Sequence, residues 1–252
     1  MAAEGETGVV TAGLLVIGDE ILSGRTKDKN IGYIAELLTA SGIDLCEVRV
    51  VPDEEAEIVA AVNALRKRYT YLFTTGGIGP THDDITADCV AKAFGVSLAV
   101  DPRAVALLLE RIPAKDMNEA RLRMARVPAG GELVLNPVSK APGFRLGNVI
   151  VMAGIPAVMQ GMLDGVLPSL KTGKKLLSET IDAGLREGDI ATELGAIAKK
   201  HSDTIIGSYP YSTERGFFTR LVVRARDADK LAAAKADIEA MIARLKPSTA
   251  VI

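Results

Sequence analysis

The feature that most constrains this chain is an alternation, repeated three times before Gly95, of an apolar run with a segment whose apolar residues recur at helical spacing. Leu14-Leu15-Val16-Ile17 is continuous apolar sequence that stops at Gly18-Asp19-Glu20, as a strand buried on both faces would. Ile31, Ile34, Leu37 and Leu38 then mark one face of a helix over 28–41, closed by Gly42. The pattern returns as a strand over 45–51, ending at Pro52-Asp53, and a helix over 54–68 through Ile58, Val62 and Leu65. It returns again as Tyr71-Leu72-Phe73-Thr74-Thr75 and a helix over 85–94, closed by Gly95. Short connections between alternating strands and helices specify right-handed crossovers and a parallel sheet.

Farther along, 101–126 reads as helical with an interruption at Pro113, strands are expected over 133–135 and 149–152, and a helix over 156–170 begins with a proline. Gly173-Lys174-Lys175 reads as a boundary. Beyond it the order is strand (176–183), helix (190–200), two strands (204–208 and 217–225) and helix (229–245), which fits a small two-layer domain. The expected domains are therefore 9–172 and 173–252.

Composition narrows the function classes. Thirty basic residues against 32 acidic ones give a net charge of -2, which lacks the basic footprint of a protein built to coat nucleic acid. Both cysteines, Cys46 and Cys89, read as buried small hydrophobes rather than a disulfide framework, so a reducing compartment is expected. The polar, acidic start Met1 to Gly8 does not resemble a signal peptide, and no apolar run is long enough to cross a bilayer. A soluble, cytoplasmic protein without a membrane partner is the expectation.

The chemistry concentrates in Thr75-Gly76-Gly77-Ile78-Gly79-Pro80 and the segment through Asp84-Ile85-Thr86. Glycines between a strand and a helix let backbone amides surround an anion, and the helix N-terminus adds positive potential. A phosphate or pyrophosphate is the natural guest, a reading that outweighs a simple chain-reversing turn. No Gly-Lys-Ser/Thr follows, so this is not a P-loop, and His82 breaks the dinucleotide fingerprint. Asp84 either caps the next helix or helps hold a divalent cation beside the phosphates. Asp53 taken alone reads as a helix cap, and a lone loop histidine such as His82 reads as solvated. His201 at a helix end reads as structural, and Arg121, Arg123 and Arg126 as a solvated helical face from which one could reach a phosphate. In an open parallel sheet, the loops at the carboxyl ends of the strands share one crevice, so Asp19, Glu20, Asp53 and the 76–84 loop should converge. No Cys/His cluster points to zinc and no nucleophile elbow is present.

Together these blocks resemble the molybdopterin-binding fold family, which includes molybdopterin adenylyltransferases, molybdenum-insertion enzymes and the N-terminal domain of the competence/damage-inducible protein CinA. The match runs through Ile17-Gly18-Asp19-Glu20-Ile21-Leu22-Ser23-Gly24 with Asn30, Val51-Pro52-Asp53, the glycine loop, and Asn136-Pro137-Val138 with Ala141-Pro142-Gly143-Phe144 into Gly154-Ile155-Pro156. It is most similar to the CinA type. Ile206-Gly207-Ser208-Tyr209-Pro210 extends it into the second domain, where a similar segment follows the molybdopterin-binding-like domain of FAD synthases.

The resemblance implies a three-layer α/β/α domain with a mainly parallel sheet, then a small two-layer α+β domain. It implies Asp53 and Asp84 as catalytic residues. Thr75, Gly76, Gly77, Ile78, Gly79, Pro80, Asn136 and Gly143 would be phosphate or substrate contacts, and Asp19, Glu20 and Asp84 metal ligands. The implied activity is hydrolysis of a nucleotide pyrophosphate link, as in ADP-ribose or FAD, with a divalent metal (Mg²⁺, Mn²⁺ or Co²⁺) and no tightly bound organic cofactor. Two alternatives are adenylyl transfer to molybdopterin in molybdenum cofactor biosynthesis, and a non-catalytic nucleotide- or pterin-binding protein. The family also implies a homo-oligomer. The amidohydrolase domain of full-length CinA is not expected here, nor deamidation. One departure stands out. Where the CinA type has Leu-Pro-Gly-x-Pro-x-Glu-Met, this chain has Met152-Ala153-Gly154-Ile155-Pro156-Ala157-Val158-Met159, so the acid-bearing position is Val158.

Overall fold

The computed structural model describes residues 8–214 and 216–246. The chain divides between Gly173 and Lys174 into two compact units.

In the first unit, the elements in chain order are β1 (Val10–Ile17), α1 (Asp19–Leu22), α2 (Asn30–Ala40), β2 (Ile43–Val51), α3 (Glu55–Arg68), β3 (Tyr71–Thr75), α4 (Thr86–Phe94), β4 (Leu98–Val100), α5 (Pro102–Leu109), α6 (Glu119–Arg123), β5 (Arg126–Pro128), β6 (Glu132–Val134), β7 (Gly143–Leu146), β8 (Val149–Met152) and α7 (Pro156–Val166). Six strands form one sheet in the order β2-β1-β3-β8-β7-β6, parallel through its first four members and antiparallel at β7 and β6.

The period of two along each central strand sends alternate residues into two separate cores. Leu15 and Ile17, Leu72, and Val149 and Val151 face one side, where Ile58, Val62 and Leu65 of α3 and Val90 of α4 cover them. Leu14 and Val16, Tyr71 and Phe73, and Ile150 and Met152 face the other, under Ile34 and Leu38 of α2 and Met159, Met162 and Leu163 of α7. This is a three-layer α/β/α unit with a mostly parallel sheet. Phe73 is fully buried at its centre. Truncation to Ala there costs about 3–5 kcal/mol, from lost transfer energy plus the cavity left behind.

The region 101–126 departs from the expected interrupted helix. Asp101 accepts from the amide of Arg103 and Pro102 opens α5, which ends at Leu109. Beyond Pro113 comes a short 3-10 turn, and Asn118 caps the five-residue α6. Arg126 then lies in β5, paired antiparallel with β4. Pro113 ends the backbone ladder after α5, and the short pieces on either side pack into one core, so their apolar residues imitate one helical period. Cys46 is also not buried. The β1–β2 register slips at Ala12/Gly13, pairing Leu45 and then Glu47. Cys46 is the extra residue of that bulge, on an edge strand with one neighbour.

The second unit comprises β9 (Leu177–Asp182), α8 (Glu187–Lys200), β10 (Ile205–Thr213), β11 (Gly216–Ala225) and α9 (Ala228–Leu245). Its antiparallel sheet has the order β10-β11-β9 and shares a core with Ile190 of α8 and Leu231, Ile238 and Met241 of α9. Asp227 caps α9 through the amides of Asp229 and Lys230. His201 bonds Asp237 at 2.7 Å, a structural tie between the end of α8 and α9. No helix among the described residues is long and apolar enough to cross a membrane.

Candidate functional site

The glycine loop leaves β3 at the carboxyl end of the parallel strands, and each of its glycines is required by a different close approach. A Cβ on Gly76 would lie 2.1 Å from the carbonyl oxygen of Ile17, and one on Gly77 would lie 2.2 Å from Oγ1 of Thr86. One on Gly79 would lie 2.6 Å from Oδ2 of Asp84. Gly76 and Gly77 also adopt φ values of +102° and +64°, which side chains disfavour. Thr86 fastens the loop to the helix, donating its hydroxyl to Gly76 O at 3.0 Å and its amide to Gly77 O at 3.0 Å.

The amide of Gly76 is taken by Met152 O. The amides of Gly77, Ile78 and Gly79 have no hydrogen-bond partner among the described residues. Three successive unengaged donors at a strand–helix junction form an anion cradle. They border a cleft of about 360 Å³ also lined by Glu20, Pro80, Asp84, Asn136, Gly154 and Val158. That volume is in the range of small-molecule sites.

The acidic residues gather around the same end of the sheet. Asp53 does not cap α3, whose N-terminus has no side-chain cap. Its Oδ2 instead accepts the amide of Asp19 at 3.0 Å. Burial pushes the Asp53 carboxyl above the ordinary carboxylate range; the Asp19 amide opposes this, and the charges of Asp19, Glu20 and Asp83 reinforce it. Asp84 likewise does not cap α4. Its Oδ2 closes a turn by accepting the amide of Thr81 at 2.8 Å together with the Thr81 hydroxyl. No group of three His, Cys, Asp or Glu side chains among the described residues is arranged to hold a metal. Asp19, Glu20 and Asp84 thus do not form a ready-made cage: Glu20 and Asp84 line the cleft, while Asp19 is tied to Asp53 beside it.

Of the residues expected to touch phosphate, two are engaged elsewhere and a third is enclosed by the sheet. Thr75 is 1% exposed, the last residue of β3 between β1 and β8, and its hydroxyl has no hydrogen-bond partner among the described residues. Gly143 is a packing residue, because a Cβ there would meet Val151 O at 2.0 Å. Asn136 borders the cleft, but its side chain staples a turn: Oδ1 accepts from Val138 and Ser139 amides, and Nδ2 donates to Ser139 Oγ and Ala141 O.

Arg123 and Arg126 also differ from a solvated helical face. Arg126 grips Asp88 with two bonds, at 2.8 and 2.7 Å. Arg123 donates to the carbonyl of Asp84 at 3.1 Å. Both border a small crevice behind Gly77, Ile78 and Gly79. Their positive charge lies under the loop, where sequence periodicity gave no sign of it. His82 is exposed, as a lone loop histidine would be.

The fold is that of a known family. Residues 13–172 match the model described as "Probable molybdopterin binding domain", and the chain belongs to that family. Residues 175–247 match a second model, "FAD synthase, middle domain". A protein of Archaeoglobus fulgidus is 31% identical over 230 residues, covering 91% of this chain and 96% of that one. A "Probable FAD synthase" of Caenorhabditis elegans is 29% identical and covers 92% of this chain, which spans 50% of that relative's length. Among solved structures, CinA from Thermoplasma acidophilum is 32% identical, with a TM-score of 0.61, covering 65% of this chain and 99% of that one.

Proposed function

We propose that the first unit binds a nucleotide or pterin diphosphate on the amides of Gly77, Ile78 and Gly79 and hydrolyses a nucleotide pyrophosphate link of the ADP-ribose or FAD type. The observation that carries this reading is that those three unengaged amides border the same cleft as Glu20 and Asp84. The family description names molybdopterin and the second domain's description names FAD synthase, and both ligands carry phosphate esters.

The carboxylate set fits a divalent cation that arrives with its ligand. Burial, reinforced by the charges of Asp19, Glu20 and Asp83, raises the proton affinity of Asp53, yet no three side chains among the described residues close a cage. Hard cations at phosphate sites commonly take one or two carboxylates and complete their shell with water and phosphate oxygens. Glu20 and Asp84 would hold Mg²⁺, Mn²⁺ or Co²⁺, with Asp19 beside them. The cation would supply charge neutralisation at the phosphate oxygens and a more acidic water.

This chain's own residues do the rest. The loop amides fix the diphosphate in line, and Asp53 takes the proton of the attacking water as the new P–O bond forms. The bridging P–O bond breaks, its oxygen leaves with the second phosphate, and two phosphate monoesters result. The test is incubation of the full chain with ADP-ribose or FAD and each metal, following monophosphate release. Release that falls at least about a hundredfold in Asp84→Ala is expected. Absence of release with every metal, or an unchanged rate in that variant, rejects hydrolysis.

Val158 favours a second reading, binding without turnover. It lines the cleft as a buried, apolar residue where the resemblance places an acid. Calorimetry showing nucleotide binding, alongside no hydrolysis, selects that reading.

A further inference from the structure

Among the described residues the second unit has an open sheet edge, because β10 pairs with β11 on one side only. The direction of its backbone groups can be read from two facts. Ala183 donates its amide to Thr219 O at 3.0 Å, so Thr219, Leu221 and Val223 direct their backbone groups toward β9. Opposite Thr219 stands Pro210, which has no amide to give to β11. The outward set on β10 is therefore Ile206, Ser208, Pro210 and Ser212, and the amides of Ile206 and Ser208 have no partner among the described residues.

Beside this edge lies a groove of about 540 Å³, lined by Gly188, Ala191, Gly195 and Ala198 of α8 with Ile206 and Ser208. An unpaired edge next to a groove is a template for one more strand.

We infer that the groove and edge are a self-association surface, with β10 of a second copy of this chain pairing antiparallel about a two-fold axis near Gly207. Under that symmetry Ile206 of one copy and Ser208 of the other exchange both backbone bonds, and Pro210 falls outside this doubly bonded pair. The sheet becomes continuous across six strands. The two α8 helices then run antiparallel on the same face, flanking the new strand pair. Small residues let helices approach closely across such a seam, and Gly188, Ala191, Gly195 and Ala198 supply them. The charges also match. Glu187 accepts from Ser208 and Lys200 pairs with Asp237 within the chain, so antiparallel pairing sets Asp189 in the first turn of each α8 beside Lys199 in the last turn of the other copy.

The test uses the full chain in sedimentation equilibrium. Wild type is expected in even-numbered assemblies of the 26.6 kDa chain. Ser208→Pro, which removes an outward amide without touching the β11 ladder, and Ala191→Arg, which fills the groove from an exposed position, should each halve the assembly mass. Ser208→Ala, which gives up the hydroxyl bond to Glu187 but keeps the amide, should leave it unchanged. Hydrogen exchange at Ile206 and Ser208 should be slow in wild type and fast in Ala191→Arg. Unchanged mass in both disruptive variants, or fast exchange at those amides in wild type, overturns the inference.

Discussion

Asp53 and Asp19, 34 residues apart in sequence, are joined by a 3.0 Å bond in which a carboxylate oxygen of the one accepts the amide of the other. That bond links the loops after β1 and β2, next to Glu20, which lines the cleft. It holds in place a carboxylate that burial and three neighbouring acids make reluctant to ionise.

Asp53→Asn keeps an acceptor for the Asp19 amide and removes the charge. The folded-state pKa of Asp53 is raised, so its contribution to stability is full below the ordinary carboxylate value and is lost as pH rises through the folded value. Thermal melts should therefore show the variant more stable than wild type at neutral pH and equal to it in acid, while pyrophosphate hydrolysis falls. A variant less stable at pH 7 than at pH 3, relative to wild type, contradicts this.

Gly77→Ala places a methyl 2.2 Å from Thr86 Oγ1 at a φ of +64°. The left-handed backbone alone costs about 1–2 kcal/mol. The clash also disturbs the bond from Thr86 to Gly76 O. Urea unfolding should show a loss of about 2 kcal/mol or more, and nucleotide affinity by calorimetry should fall at least about tenfold. Full affinity in the variant would remove the loop amides from the binding site.

Val158→Glu restores an acid at a cleft position that is 6% exposed here. A gain of at least about tenfold in metal affinity is expected, with a matching rise in hydrolysis. Stability without metal should drop, because a carboxylate replaces apolar contact with Met159 and its neighbours. If neither metal affinity nor rate changes, position 158 has no part in holding a cation.

Asn136→Asp retains the acceptor for Val138 and Ser139 but sets a carboxylate oxygen against the carbonyl of Ala141. The cost should be about 1–3 kcal/mol in chemical denaturation. Since the side chain shapes a turn rather than touching phosphate, ligand affinity should fall while the hydrolysis rate at saturation holds. A selective loss of that saturated rate would restore Asn136 to the reacting centre.

The two thiols should separate cleanly with a disulfide-exchange reagent. Burial pushes Cys89 up to about 12, while Cys46 is exposed in the β2 bulge. One equivalent should react in the native protein and a second only on unfolding, and Cys46→Ser should abolish the first.

Much of this protein is written locally. Continuous apolar runs bounded by helical periods specify a three-layer unit with a mostly parallel sheet, because strands buried on both faces admit no other cover. Three glycines between a strand and a helix specify a tightly packed loop with free amides, since only residues without a Cβ allow those approaches. The second unit's element order is equally plain, and Asp227 and Gly95 mark helix ends as their chemistry requires.

Tertiary structure alone decided which oxygen each acid serves. A cap on α3 and a bond to Asp19 are both worth about 1 kcal/mol to Asp53, so neighbours in sequence cannot choose between them. The sheet chooses, by setting β1 beside β2 and bringing Asp19 within reach. The same holds for Arg126 against Asp88, and for Gly143, whose position in the sheet turns an expected ligand into packing. Propensity acts over a few residues, whereas a site at the carboxyl edge of a sheet is assembled from strands that only folding makes adjacent.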